Sequence, residues 1–138
     1  LVIADEPTPG LHKDVAKKVM SHFKQIAQGG AGILLITHDL ELCIDYVDRI
    51  VVFYSGTTIE DLPASDFLDK NSLRHPYTKA LFDALPSNGF SYIPGNQPYA
   101  KETSQGCVFY DRCGIREDRC RDEIPYVRKG GGFVRCVK

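Results

Sequence analysis

Two short apolar runs, LVIA at 1–4 and GILLIT at 32–37, stand on either side of a stretch with helical periodicity, and together they confine the fold. Continuous apolar runs of this length read as strands buried on both faces, as in a parallel sheet. Between them Leu11, Val15, Val19, Phe23 and Ile26 share one helical face, with Lys13, Lys17, Lys18 and Lys24 largely elsewhere. Gly29-Gly30 supplies a stop. Strand, helix and strand occupy residues 1–37, the size of one right-handed βαβ unit.

The pattern then changes. Asp39 is placed to cap a short helix carrying Leu40, Ile44 and Val47. RIVVFY (49–54), the Ser55-Gly56 turn and TTIE (57–60) read as a hairpin. Ser65 is a cap for a short helix at 66–70. In HPYTKALFDALP, Pro76 suits a first helical turn, and Tyr77, Leu81 and Leu85 form an i, i+4, i+8 stripe. Pro86 and Ser87-Asn88-Gly89 end it, and residues 87–106 read as an irregular connector. The class is α/β. The expected partition is 1–62, 63–106 and 107–138.

Apolar residues make up 43% and charged residues 25%, which argues against wholesale disorder. The net charge of −1 gives no basic field for nucleic acid or anionic lipid, so no nucleic-acid partner is expected. No apolar run approaches the roughly 20 residues that span a bilayer, so no transmembrane segment is expected.

Asp5 and Glu6 end the first strand and His38 follows the second. Ligands of parallel sheets bind at the carboxyl ends of strands, so the βαβ path brings two acids and a histidine to one edge. One acid can hold Mg²⁺ through its water shell, the next can orient and deprotonate an attacking water, and the histidine can hydrogen-bond a terminal phosphate. The plainer alternative is a strand that ends in solvated acids.

IADEPT, followed about 30 residues later by LLITHD, resembles the ABC-type ATPases. The resemblance implies a P-loop ABC ATPase core, of which this chain carries the C-terminal part: a parallel βαβ unit and a terminal hairpin. It makes Asp5 the Walker B residue serving Mg²⁺, Glu6 the catalytic base and His38 the γ-phosphate sensor. Pro9, Gly10, Leu11 and His12 match the D-loop, which crosses to the partner subunit. That loop usually ends in Leu-Asp, and His12 departs from the pattern. The chain has no G-x4-GK-[ST] phosphate loop, glutamine-loop motif or LSGGQ-like signature. It is therefore expected to be the C-terminal part of a longer ATPase and inactive alone.

RHPYTKALFDALPSNGFSYIPGNQP resembles the C-terminal extension of oligopeptide, dipeptide and nickel importer ATPases, through His75 to Leu81 and Ile93-Pro94-Gly95. The resemblance implies ATP and Mg²⁺ as cofactors and uptake of peptides or nickel chelates. It also implies integral-membrane permease partners, a second ATP-binding subunit, identical or paralogous, and indirect work with an external substrate-binding protein. The location implied is peripheral, on the cytoplasmic face of the membrane. An ATPase of DNA repair is the alternative, since some of these also use DEPT…GLH and carry cysteine zinc sites, but they lack HPYTKALFDALP.

Cys107, Cys113, Cys120 and Cys136 follow C-x5-C-x6-C-x15-C. Four thiolates can complete a Zn²⁺ site or hold an iron–sulfur cluster. The loops are wide for a zinc knuckle and easier to reconcile with a cluster. Some dipeptide-type importer ATPases carry such a set, so the resemblance implies a [4Fe–4S] cluster. Arg112, Arg116, Arg119, Arg121 and Arg135 lie near enough in sequence to offset its charge. Reduced thiols in a small core, or disulfides, remain the metal-free reading. Cys43 reads as a buried inert thiol, His12 as a loop residue, His22 as exposed on its helix and His75 as a possible cap. Gly130-Gly131-Gly132 reads as a flexible turn.

Overall fold

A computed structural model describes residues 1–99 and 105–138, so the last part of the expected connector, 100–104, lies outside the described residues. The chain forms two compact units, Leu1–Asp48 and Arg49–Lys138.

The first unit is the expected βαβ. Strand β1 (Val2–Asp5) pairs in parallel with β2 (Ile33–Ile36), with Asp5 opposite Ile36, and helix α1 (Lys13–Gln28) connects them. Two details differ from expectation. The strands are not buried on both faces: each alternates half-buried with exposed, and Ile3 is 63% exposed. Within residues 1–48, only one face of this two-stranded sheet is covered. Helix α1 buries Ala16 and Met20, with Val19, Phe23 and Ala27 half-buried, while Leu11, Val15 and Ile26 stay exposed. The covered side is rotated by one residue, about 100°, from the expected stripe. Counting only the large aliphatic and aromatic residues overlooked Ala16 and Met20, which sit closest to the core.

Helix α2 (Leu40–Cys43) starts as expected, with the Asp39 carboxylate accepting the Leu42 N–H at 3.0 Å. Cys43 is buried, its thiol donates to the Leu40 carbonyl, and burial pushes its pKa up to about 11.

The second unit is built on an antiparallel sheet of order β3-β4-β6-β5. Strand β3 (Arg49–Tyr54) turns through Ser55 and Gly56, at φ 45° and 83°, into β4 (Thr57–Pro63). Left-handed values at both turn positions match the twist of a tight hairpin. The hairpin, expected to close the ATPase part at 1–62, instead shares a sheet with the C-terminal strands β5 (Val127–Lys129) and β6 (Gly132–Val134). The 107–138 segment is therefore less irregular than expected. Gly132 permits this pairing, because a Cβ there would collide with the Asp61 backbone of β4. Arg49 bonds Asp61 at 2.7 Å and the Gly131 carbonyl at 3.0 Å, fastening the glycine turn to the sheet.

Strand β3 alternates strictly, burying Ile50, Val52 and Tyr54. Strand β4 does not. Val52 pairs with Glu60 and Phe53 with Thr58, which leaves Ile59 as an extra, bulged residue. The bulge breaks the period of two, so Ile59 and Glu60 are both buried.

Helix α3 (Ala64–Phe67) begins earlier than the expected 66–70. Pro63, at φ −55°, is its N-cap, and the Ser65 hydroxyl meets the Asp66 carboxylate instead of capping. Helix α4 (Pro76–Asp83) starts as expected and is followed by a 3-10 turn at Pro86–Asn88. Its most buried residue is Thr78, and Phe82 meets Phe67 at 5.9 Å between ring centroids, whereas Tyr77, Leu81 and Leu85 are only half-buried. Further 3-10 turns span Tyr110–Arg112 and Asp118–Arg121. Phe109 joins Tyr54 and Tyr77 in an aromatic cluster with centroids 4.5 to 5.5 Å apart. No helix among the described residues is long and apolar enough to cross a membrane.

Candidate functional site

In the first unit, the register of β1 and β2 decides what meets at the sheet edge. With Asp5 opposite Ile36, the Glu6 N–H donates to the Ile36 carbonyl at 2.8 Å, and the chain leaves β2 through Thr37 to His38. The His38 Nδ1 then lies 2.8 Å from the Glu6 carboxylate, although 32 residues separate the two. Glu6 reaches this position in the left-handed region, at φ 45°, where few residues other than glycine sit. The hydrogen bond and the charge of Glu6 raise the His38 pKa, against a small opposing effect of desolvation. Asp5 is exposed at the end of its strand.

The PTPG stretch closes a turn in which the Leu11 N–H donates to the Thr8 carbonyl at 3.1 Å, with Gly10 at φ 78°. Pro followed by a left-handed glycine is the type II pattern. His12 becomes the N-cap of α1 without a side-chain capping bond, and its Nδ1 stands 3.7 Å from the Asp14 carboxylate. The expected D-loop residues Pro9, Gly10, Leu11 and His12 thus form one ordered turn into the helix.

In the second unit, Cys107, Cys113, Cys120 and Cys136 line one small cavity together with His75. All four are free thiols. Cys107 and Cys120 are joined by a backbone hydrogen bond at 2.8 Å, and Gly106 allows the approach, since a Cβ there would lie 2.5 Å from the Cys120 carbonyl. Cys113 closes the 110–112 turn, and Cys136 follows β6, which is held to β4 by the Arg135 N–H donating to the Ile59 carbonyl. Burial raises the pKa of Cys107 and of Cys136, and the neighbouring cysteines add to both shifts.

All four cysteines belong to the lining of the one cavity. Among the described residues, no group of three or more His, Cys, Asp or Glu side chains is placed to hold a single metal ion. The expected arginine screen is also narrower than anticipated. Arg116 lines the cavity with Lys138. Arg112 donates to the carbonyls of Ile93 and Pro94 and to the Tyr54 hydroxyl. Arg119 pairs with Glu117, Arg121 with the Tyr110 hydroxyl, and Arg135 with the Ile124 carbonyl.

One supporting residue, Glu60, escaped the sequence reading, and the second, His75, takes the capping position expected of it. Glu60, 2% exposed, accepts the backbone N–H groups of Arg74 and His75, both at 2.9 Å. His75, 1% exposed, caps α4 by accepting the Tyr77 N–H on Nδ1 at 3.1 Å, and burial holds its pKa down to about 4. The adjacent acids in TTIEDLP, which spoil the alternation of the strand, were the available signal for Glu60.

The family described as "Oligopeptide/dipeptide transporter, C-terminal region" matches residues 59–120, a span that contains Glu60, His75 and three of the cavity cysteines. The oligopeptide transport ATP-binding protein AppD of Bacillus subtilis (strain 168) is 34% identical over 145 residues, covering 99% of this chain and 43% of the relative. The dipeptide transport ATP-binding protein DppD of Escherichia coli (strain K12) is 34% identical over 131 residues, covering 91% of this chain and 39% of the relative. The chain thus spans less than half the length of these curated relatives. Both are named for peptide transport, and neither the nickel reading nor the DNA-repair reading gains support from them. The chain belongs to the oligopeptide/dipeptide family of ABC ATP-binding subunits.

Proposed function

We propose that this chain supplies the water-activating half of an ABC ATPase that drives peptide uptake through a membrane permease. The observation that carries the reading is the 2.8 Å contact between Glu6 and His38 at the carboxyl edge of a parallel sheet, with Asp5 beside it. Asp5 would hold Mg²⁺ through water, and that ion would neutralise charge on the ATP phosphates. Glu6 takes the proton of the attacking water, and His38 holds Glu6 in place and faces the terminal phosphate. The Thr8–Leu11 turn, with His12, presents the D-loop to a second ATP-binding subunit. Residues 1–62 carry the chemistry, 63–106 the family extension and 107–138 the four-thiol module, on a subunit bound peripherally at the cytoplasmic face.

The four cysteines suit a thiolate-held group. The wide C-x5-C-x6-C-x15-C spacing of these four free thiols on one cavity is the ground for reading the group as a [4Fe–4S] cluster, with Zn²⁺ as the alternative. Such a group would supply electron storage or a rigid crosslink, while Arg116 and Lys138 offset its charge.

The test is a chimera in which residues 1–138 replace the matched segment of Bacillus subtilis AppD. Magnesium-dependent ATP turnover is expected, falling by about 100-fold or more in Glu6→Gln with ATP binding retained. Equal turnover in the chimera and its Glu6→Gln variant would overturn the assignment. Residues 1–138 alone are expected to show no turnover.

A further inference from the structure

We infer that His75 is a hydrogen-bond donor to the Cys107 sulfur through Nε2–H, and not a ligand of the four-thiol site. The inference rests on the reading of the four cysteines as one site.

A histidine beside several cysteines is ordinarily counted as a metal ligand. The backbone around His75 excludes that role. Its Nδ1 accepts the Tyr77 N–H at 3.1 Å. A backbone N–H can only donate, so Nδ1 presents a lone pair and carries no proton. The ring is then neither imidazolium, in which both nitrogens donate, nor the Nδ1–H tautomer. The single ring proton sits on Nε2, where it occupies the position a metal would need.

That Nε2 lies 4.0 Å from the Cys107 Sγ. Sulfur is the larger and softer acceptor, and it gains most from an N–H donor when it is a thiolate. The ring is held in this orientation from three sides. Glu60 fixes the backbone by accepting the His75 N–H, the Tyr77 N–H fixes Nδ1, and Phe109 meets the ring at 5.9 Å between centroids. Strand β4 therefore governs both sides of the contact. Through Glu60 it positions His75, and by pairing with β6 it carries the chain to Cys136. Cys107 is thereby distinguished from the other three thiols, and a group bound there would sense the donor. Hydrogen bonds to ligating sulfur raise the reduction potential of iron–sulfur centres, and partners outside the ligand set tune metal affinity.

His75→Asn separates the two roles of the ring. Asparagine caps helices well, so its carbonyl can still accept the Tyr77 N–H, but it is too short to reach Cys107. The chain is treated anaerobically with ferrous iron and sulfide, and separately with Zn²⁺ alone. His75→Asn is expected to retain the wild-type iron and sulfide content, with a more negative reduction potential, and to bind metal about 10-fold to 100-fold more weakly. Loss of the bound metal in this variant, or an unchanged potential, would overturn the inference. In metal-free, ¹⁵N-labelled chain, long-range ¹H–¹⁵N correlation is expected to show the Nε2–H tautomer of His75, and Cys107→Ala, which leaves the cap intact, is expected to shift that proton. The Nδ1–H tautomer, or no shift, would overturn it. If wild-type chain takes up neither iron and sulfide nor Zn²⁺, the four-thiol reading fails, and the tautomer spectrum still decides the His75–Cys107 contact.

Discussion

Glu60 and His75 are joined through the backbone: one carboxylate oxygen accepts the His75 N–H at 2.9 Å, while the other takes the Arg74 N–H at the same distance. Both donors have no helical partner, because they immediately precede α4. Glu60→Gln would turn an amide NH₂ toward one of them. The expected cost is about 1 to 3 kcal/mol, the penalty for one buried unsatisfied donor, read as a lower midpoint in urea unfolding.

The pair formed by His38 and Glu6 sets a pH dependence. The folded-state pKa of His38 is raised, first by its hydrogen bond to Glu6 and then by the Glu6 charge. The pair therefore stabilises fully below the unfolded value, near 6.5, and that contribution fades as pH rises through the higher folded value. NMR titration of the His38 ring is expected to give an apparent pKa above 6.5, returning toward it in Glu6→Gln. An identical titration in both proteins would contradict the contact.

Arg112 spreads one guanidinium over three partners: the Ile93 and Pro94 carbonyls and the Tyr54 hydroxyl. This is what the Ile93-Pro94-Gly95 stretch does in the fold: it presents carbonyls to a planar fork. Arg112→Lys supplies charge without that geometry. Limited proteolysis is expected to cut the 89–99 segment faster in Arg112→Lys and Arg112→Ala alike, with unfolding eased by about 1 to 3 kcal/mol.

Thr78 is fully buried in α4, and its hydroxyl has no hydrogen-bond partner among the described residues. Valine has nearly the same shape without the polar atom. Thr78→Val is expected to raise the thermal midpoint, by an amount corresponding to about 1 kcal/mol, as seen by differential scanning calorimetry. A lower midpoint would show that the hydroxyl has a partner in solution.

Much of the first unit could be read from residue order, because a βαβ unit is dictated locally. Apolar runs give the strands, Asp39 gives the cap, and the strand ends carry Asp5, Glu6 and His38. The covered side of α1 was misjudged because small Ala16 and flexible Met20 weigh little in a hydrophobic count. The second unit was harder. Pairing of β4 with β6 joins Glu60 to Val134, 74 positions along the chain, and no local pattern announces such a partner. The Ile59 bulge depends on that sheet and was equally hidden. Cysteine spacing showed that four thiols belong together, but the aim of His75 toward them depends on Tyr77 and Glu60, contacts that exist only once α4 is docked.

The backbone of Glu6, at φ 45°, has a consequence for protein engineering. A residue with a side chain pays about 1 to 2 kcal/mol in this region, and glycine pays almost none. A screen that rewards heat resistance alone would drift toward Gly or Asn at position 6 and discard the carboxylate that meets His38. A screen that also demands the Glu6–His38 contact would keep glutamate and its awkward geometry. Which residue survives at this position would reveal what the selection was for.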